Sequence, residues 1–308
     1  MSKMKSKLQT YASANLYCKK DIVSLPNFRA LLDALAQNDI RTDDGCRLVQ
    51  APFEAVMRSG EIETVIRNEL DMLASDPRHC PSGSSGTTLL LAESAMMTLT
   101  ATILEERHAA PAAIYSPAAN ALMGNLGPTD LAICLHQRPP GADVKVFDAA
   151  QKLVLSPPIS LAVGETLALS SQRDVVEYRC SGPSLVLKLT SQFSQQLIWV
   201  YDKHTGTPAM ASAGNLHSSR VQMMLRTLTA LESQPGRDVT DPRSVESIMG
   251  LCSHDLHFIR WGAVQTLCNV DFERGKKALL DAVDDPHPHL AAAALSSVAK
   301  LRQQGLMA

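Results

Sequence analysis

Residues 152–171 read KLVLSPPISLAVGETLALSS, and the punctuation of this stretch decides the architecture. A short apolar run stops at Pro157-Pro158, a second one resumes, and Val163-Gly164-Glu165 turns into a third. Apolar runs this short, bounded by proline and glycine, read as strands rather than helices. Similar runs lie on both sides: TLLLAES (88–94), MMTLTATILEE (96–106), DLAICLHQ (130–137), VKVFDAA (144–150), DVVEYRC (174–180), SLVLKLT (184–190) and QLIWVYD (196–202). Between Thr87 and Asp202 they predict an all-β unit, built as a closed barrel or a two-sheet sandwich.

The flanks change period. From Pro26, residues Phe28, Leu31, Leu32 and Leu35 recur at helical spacing, with the proline suited to a first helical turn. Arg41 to Gly45 (RTDDG) reads as a loop, and Ile62, Val65, Ile66, Glu69, Leu70 and Leu73 form a second helical stripe ending near Asp76-Pro77. PSGSSG (81–86) is a linker. Beyond Ser218 the helical period returns through Val221, Met224, Leu225, Leu228 and Leu231. The last part repeats itself: LCSHDLHFIRWGAVQTL (251–267) lies over AVDDPHPHLAAAALSSV (282–298) at an offset of 31, matching Ile259 with Leu290, Ala263 with Ala294 and Leu267 with Val298. The expected organisation is α+β: helices in 1–86, a β-barrel in 87–205 and a helical repeat unit in 218–308.

Composition removes several functions. A net charge of −2 supplies no field for collecting nucleic acid phosphates. The seven cysteines are dispersed without a C-x-x-C pair, against a zinc ribbon or a thioredoxin-type motif. The basic amino terminus lacks a signal's apolar run, and no stretch reaches the roughly 20 apolar residues of a membrane helix. The economical expectation is a cytoplasmic protein that binds neither nucleic acid nor membrane.

Two family resemblances follow. ALLDAVDDPHPHLAAAALSSVAKL (278–301), with its apolar helix, Asp-Asp-Pro turn and alanine-rich second helix, resembles a HEAT repeat. That resemblance implies a stacked surface for a partner or for a second copy of the chain. NELDMLASDPRHCP (68–81), then MMTLTATILEE, then AAIYSPAANALMGNLG (112–127), resembles the feature order of a cupin of the cysteine dioxygenase type. The resemblance implies a double-stranded β-helix with one iron on three histidines. Here Tyr115, Ser116 and Pro117 stand at the ligand motif, and no histidine occurs between Gln172 and Val175. Tyr, Ser and Pro do not reproduce an imidazole donor set, so no metal, no cofactor and no catalytic residue is expected.

The remaining candidates concern a ligand. If the barrel keeps the family's register, Tyr115, Ser116 and Asn120 point towards its interior and can bind a small molecule; otherwise Met96, Met97, Leu122 and Met123 fill it. Cys134 and His136, two apart on one strand face, are half of a metal site if His108 or Glu106 joins them, and otherwise structural; His136 is kept as a ligand-contact candidate. Asp202, Lys203 and His204 read as a turn. His254, His257, His287 and His289 lie at matching turns of the repeats, and none is followed by Glu. The expectation is a non-enzymatic binding or scaffolding protein with a metal-free cupin-like barrel. Its alternatives are a cupin-type enzyme with a relocated metal site and a regulator that senses a small molecule.

Overall fold

A computed structural model describes residues 17–18, 22–76, 78–79, 86–105, 113–192, 194–232 and 242–307. It divides into two compact units, Met1–Ser212 and Ala213–Ala308. In the first, α1 (Pro26–Gln37), α2 (Asp43–Arg58) and α3 (Glu61–Ser75) precede every strand but the first. Helix α2 corrects the loop expected at 41–45. Thr42 Oγ1 accepts the Gly45 N–H at 3.1 Å, and Asp43 and Asp44 occupy the first turn, where carboxylates suit the helix dipole. The Asp-Asp-Gly run is therefore a helix start, not a turn.

The strands are β1 (Tyr17–Cys18), β2 (Thr88–Glu93), β3 (Met97–Leu104), β4 (Ala113–Tyr115), β5 (Ala121–Gly127), β6 (Leu131–Gln137), β7 (Pro158–Leu161), β8 (Thr166–Leu169), β9 (Asp174–Cys180), β10 (Ser184–Ser191), β11 (Leu197–Asp202) and β12 (Pro208–Ala213). One sheet runs β1-β2-β3-β10-β5-β8, another β12-β11-β4 and a third β7-β6-β9; the pairings among β1 to β11 are antiparallel, and β4 lies beside β9. Counting β3 to β10 as eight consecutive strands, the two layers have the order 1-8-3-6 and 2-7-4-5. That is the order of a double Greek key jelly roll, the cupin-like arrangement.

VKVFDAA is not a strand. Asp143 and Asp148 fold it into turns by accepting the N–H groups of Lys145 and Ala150 at 2.9 and 2.8 Å. Phe147 then packs on Trp199 at 5.1 Å, and Trp199 Nε1 donates to Val144 O. KLVLS contributes only one bridge, Val154 to Gln137.

Strand alternation separates two environments. Met97, Leu99 and Ala101 of β3, Leu187 and Leu189 of β10, and Leu122 of β5 join Phe28, Leu31, Val49, Phe53, Val56 and Ile62 of the helices in one core. The N-terminal helices thus cover the outer face of the first sheet. At Gly124 a Cβ would lie 2.0 Å from Met57 Sδ and 3.2 Å from Phe53, so the absent side chain lets α2 approach. The opposite face, with Met123 and Val186, packs on Leu131, Ile133 and Leu161 of the second layer.

The second unit contains α4 (Leu216–Glu232), α5 (Pro242–Leu251), α6 (His257–Val270), α7 (Phe272–Asp281) and α8 (Pro288–Gln303). The α7–α8 pair begins 30 and 31 residues after α5 and α6. Ala263 and Ala294, the small residues on matching stripes, are both 0% exposed. Arg260 bridges the copies with a bidentate pair to Asp285 at 2.6 and 2.7 Å, and His257 stacks on His287 with ring centroids 3.5 Å apart. No described helix is long and apolar enough to cross a membrane.

Candidate ligand cavity in the jelly roll

Between the layers lies a cavity of about 1020 Å³. Its buried lining includes Ile114, Ala121, Met123 and Leu169. Exposed lining residues, Glu105, Tyr115, Tyr178 and Arg179, mark the mouth. The polar groups of the wall include Thr102 of β3, Lys188 and Thr190 of β10, and Glu177 of β9. Lys188 pairs with Thr100 on one side and Met123 on the other. It therefore shares the face of Met123, opposite to Leu187 and Leu189.

Lys188 is the unusual member. Burial alone pushes its ammonium below the ordinary lysine range, with no neighbouring charge contributing. Among the described residues no carboxylate lies within ion-pair distance of it; Glu177, also at the cavity wall, gives Oε1 to Lys203 at 2.5 Å and to Arg179 at 3.2 Å. Sequence reading missed Lys188, although SLVLKLT shows a lysine alternating with leucines inside an apolar run. The alternation alone does not say whether the lysine faces water or a cavity.

Of the ligand-contact candidates Tyr115, Ser116, Asn120 and His136, only Tyr115 lines the cavity; it is 59% exposed. Ser116 Oγ accepts the Trp199 N–H at 2.9 Å, while its own N–H donates to Trp199 O. Asn120 is 2% exposed, accepts from the Ser171 N–H and hydroxyl at 2.8 Å each, and donates to Arg41 O at 3.0 Å. Ser116 thus fastens the end of β4 to β11, and Asn120 fastens the turn after β8 to the segment before α2. Met97 and Leu122 belong to the helix-covered core, and Met123 faces inwards. Glu106 and His108 lie outside the described residues.

His136 sits on the outer face of β6. Its neighbours Cys134 and Glu177 are paired across β6 and β9, and one possible ligand atom from each of the three lies within 4.8 Å of the others. The set is Cys, His and carboxylate, suited in kind to zinc. The proton arrangement does not suit it. Nδ1 of His136 accepts the Ser156 N–H at 3.1 Å, which places the neutral ring's proton on Nε2, the nitrogen a metal would need. A metal-bound histidine instead donates from its second nitrogen. Burial lowers the His136 pKa, with Glu177 opposing and Lys203 assisting. Burial raises the Glu177 carboxyl, and bonds from Lys203 and Arg179 outweigh that, leaving it below the usual range. Glu177 instead sits in an ion-pair network with Lys203 and Arg179, and His136 is bonded to Ser156. The iron of the resembling family does not fit the cavity either. Tyr115 is at the mouth, Ser116 is committed to Trp199, Pro117 has no donor atom, and an ammonium faces the interior.

Arg138 is 4% exposed and donates to Ser171 O, Gln172 O and Tyr201 Oη at 2.8, 2.9 and 3.1 Å. It fastens the β8–β9 turn to β11, away from the cavity lining. Asp202 Oδ1 accepts from His204 and Thr205 N–H, making the turn expected there.

No protein-family model and no curated protein matches the sequence. Among solved structures, an RmlC-like cupin from Shewanella frigidimarina is 7% identical, over 39% of this chain and 88% of that chain, with a TM-score of 0.23. A cupin-superfamily sugar phosphate isomerase from Silicibacter pomeroyi is 7% identical, over 38% and 68%, at 0.22. An HTH_3-family transcriptional regulator from Vibrio cholerae is 11% identical, over 62% and 93%, at 0.22. Scores this low bear no weight; the jelly-roll assignment rests on the strand order.

Proposed function

We propose that the protein is a small-molecule-binding protein whose ligand occupies the jelly-roll interior, with the helical unit serving as a docking surface. The observation that supports this is the cavity of about 1020 Å³, comparable to small-molecule sites and lined by buried apolar side chains together with polar and charged ones. A HEAT-like reading of the second unit draws on the recurring helix pairs and the buried alanines, and two such pairs suit association with a partner protein or a second copy. The relocated-metal alternative has the Cys134, His136 and Glu177 grouping in its favour and the proton on His136 Nε2 against it.

Ligand-observed NMR tests the proposal with the full chain against neutral, anionic and cationic small molecules. Ala121→Phe and Thr190→Phe place a ring in the cavity. Saturation transfer to one chemical class, lost in both folded variants, is the expected result. Transfer to none, or equal transfer with the filled variants, contradicts it.

A further inference from the structure

We infer that the ligand carries an oxyanion, a carboxylate or a phosphate, which binds Lys188 on the inner face of β10 with the Thr190 hydroxyl beside it. This rests on the cavity being the ligand site. The inner face offers donors: an ammonium with three N–H bonds and, two residues along the same strand face, a hydroxyl with no side-chain partner among the described residues. It offers no carboxylate to the ammonium among the described residues, because Glu177 is committed to Lys203 and Arg179 and Glu105 stands exposed at the mouth. Around the pair the wall carries Ala121, Met123, Ile114 and Leu169, which solvate no charge, and the neutral hydroxyl of Thr102. An ammonium held against such a wall without a counter-ion costs stability. A bound oxyanion supplies the missing charge, and its hydrogen bonds to an ammonium are of the strong, charge-assisted kind. A cationic ligand is repelled, and a neutral one leaves the ammonium unpaired. Burial also lowers the lysine's pKa, which an anion would reverse.

Met123 supplies the reporter, since it pairs directly with Lys188. The full chain labelled with ¹³C-methyl methionine is titrated with inorganic phosphate, with succinate and with glycerol, the Met123 signal being assigned from Met123→Leu. Phosphate or succinate shifts that signal, glycerol does not, and the stronger of the two identifies which oxyanion is meant. Lys188→Met, which removes the charge and keeps the length, weakens that binding at least tenfold; Lys188→Arg retains it. Equal anion affinity in Lys188→Met overturns the inference. So does a signal that responds to glycerol alone, which leaves the cavity reading standing. No response to any probe, from a folded protein, overturns both.

Discussion

Gly275→Ala is a sharp test of the helical unit, because two effects of known size oppose each other there. Gly275 lies inside α7, where alanine is favoured over glycine by about 1 kcal/mol. Propensity alone predicts stabilisation. A Cβ at this position would, however, lie 2.5 Å from Cys268 N, 2.5 Å from Cys268 Cα and 2.8 Å from Leu267 C. Carbon contacts are comfortable near 3.5–4.0 Å, so α6 and α7 must part by about 1 Å. These are backbone atoms, and no rotamer change moves them aside. Separation loosens Leu267, Leu279 and Ala278, which pack near this contact. Overpacking of this kind costs about 1–3 kcal/mol, and backbone obstruction puts it at the upper end. The net expectation is a loss of about 1–2 kcal/mol. Urea unfolding read by Trp261 fluorescence, in a Trp199→Phe background, measures it directly. A midpoint raised by Gly275→Ala refutes the close crossing of α6 and α7.

Other predictions are as specific. His257 is held at a pKa of about 4, by burial first and then by His287, Arg260 and His289. Its folded pKa is below the ordinary 6.5, so the unfolded chain takes up a proton first and stability falls as pH drops from about 6.5 to about 4. At about 1.4 kcal/mol per unit, reduced for partial exposure, the loss is about 1–3 kcal/mol; urea midpoints across that range should flatten in His257→Phe. Asn120→Ala strands the buried Ser171 N–H and should cost the first unit about 1–3 kcal/mol while leaving small-molecule affinity unchanged, which calorimetry checks. Arg138→Lys loses bonds to two carbonyls or to Tyr201 and should lower the Trp199-reported midpoint by a similar amount.

What was legible in the sequence follows the range of each interaction. The strand run after Thr87, the helix opening at Pro26 and the offset of 31 with its paired alanines are local patterns, and the structure carries them except at VKVFDAA and KLVLS, which are not strands. The strand at 121–127 hid behind Gly124 and Asn125, which look like turn residues. Gly124 is there for Phe53 and Met57, 67 or more positions upstream, and Asn125 donates to Thr129 O and Leu161 O while accepting from Gly127 N–H and the Ser184 hydroxyl. Sequence order displays neither reason. Helix α2 was hidden because Thr42-Asp43-Asp44-Gly45 satisfies the chemistry of a turn and of a helix start equally. The site was least legible. Ser116 and Asn120 are polar residues in the expected neighbourhood, but long-range bonds to Trp199 and Ser171 consume them. Lys188 alternates with leucines as a solvated lysine would, and only the helices packed on Leu187 and Leu189 turn it inwards.

A crystal structure of the full chain grown with inorganic phosphate tests the central claim most directly. The account predicts an oxyanion inside the jelly roll, about 2.7–3.2 Å from Lys188 Nζ and beside the Thr190 hydroxyl. Lys188 found paired instead with a carboxylate of its own chain, or a cavity closed by side chains, would contradict it.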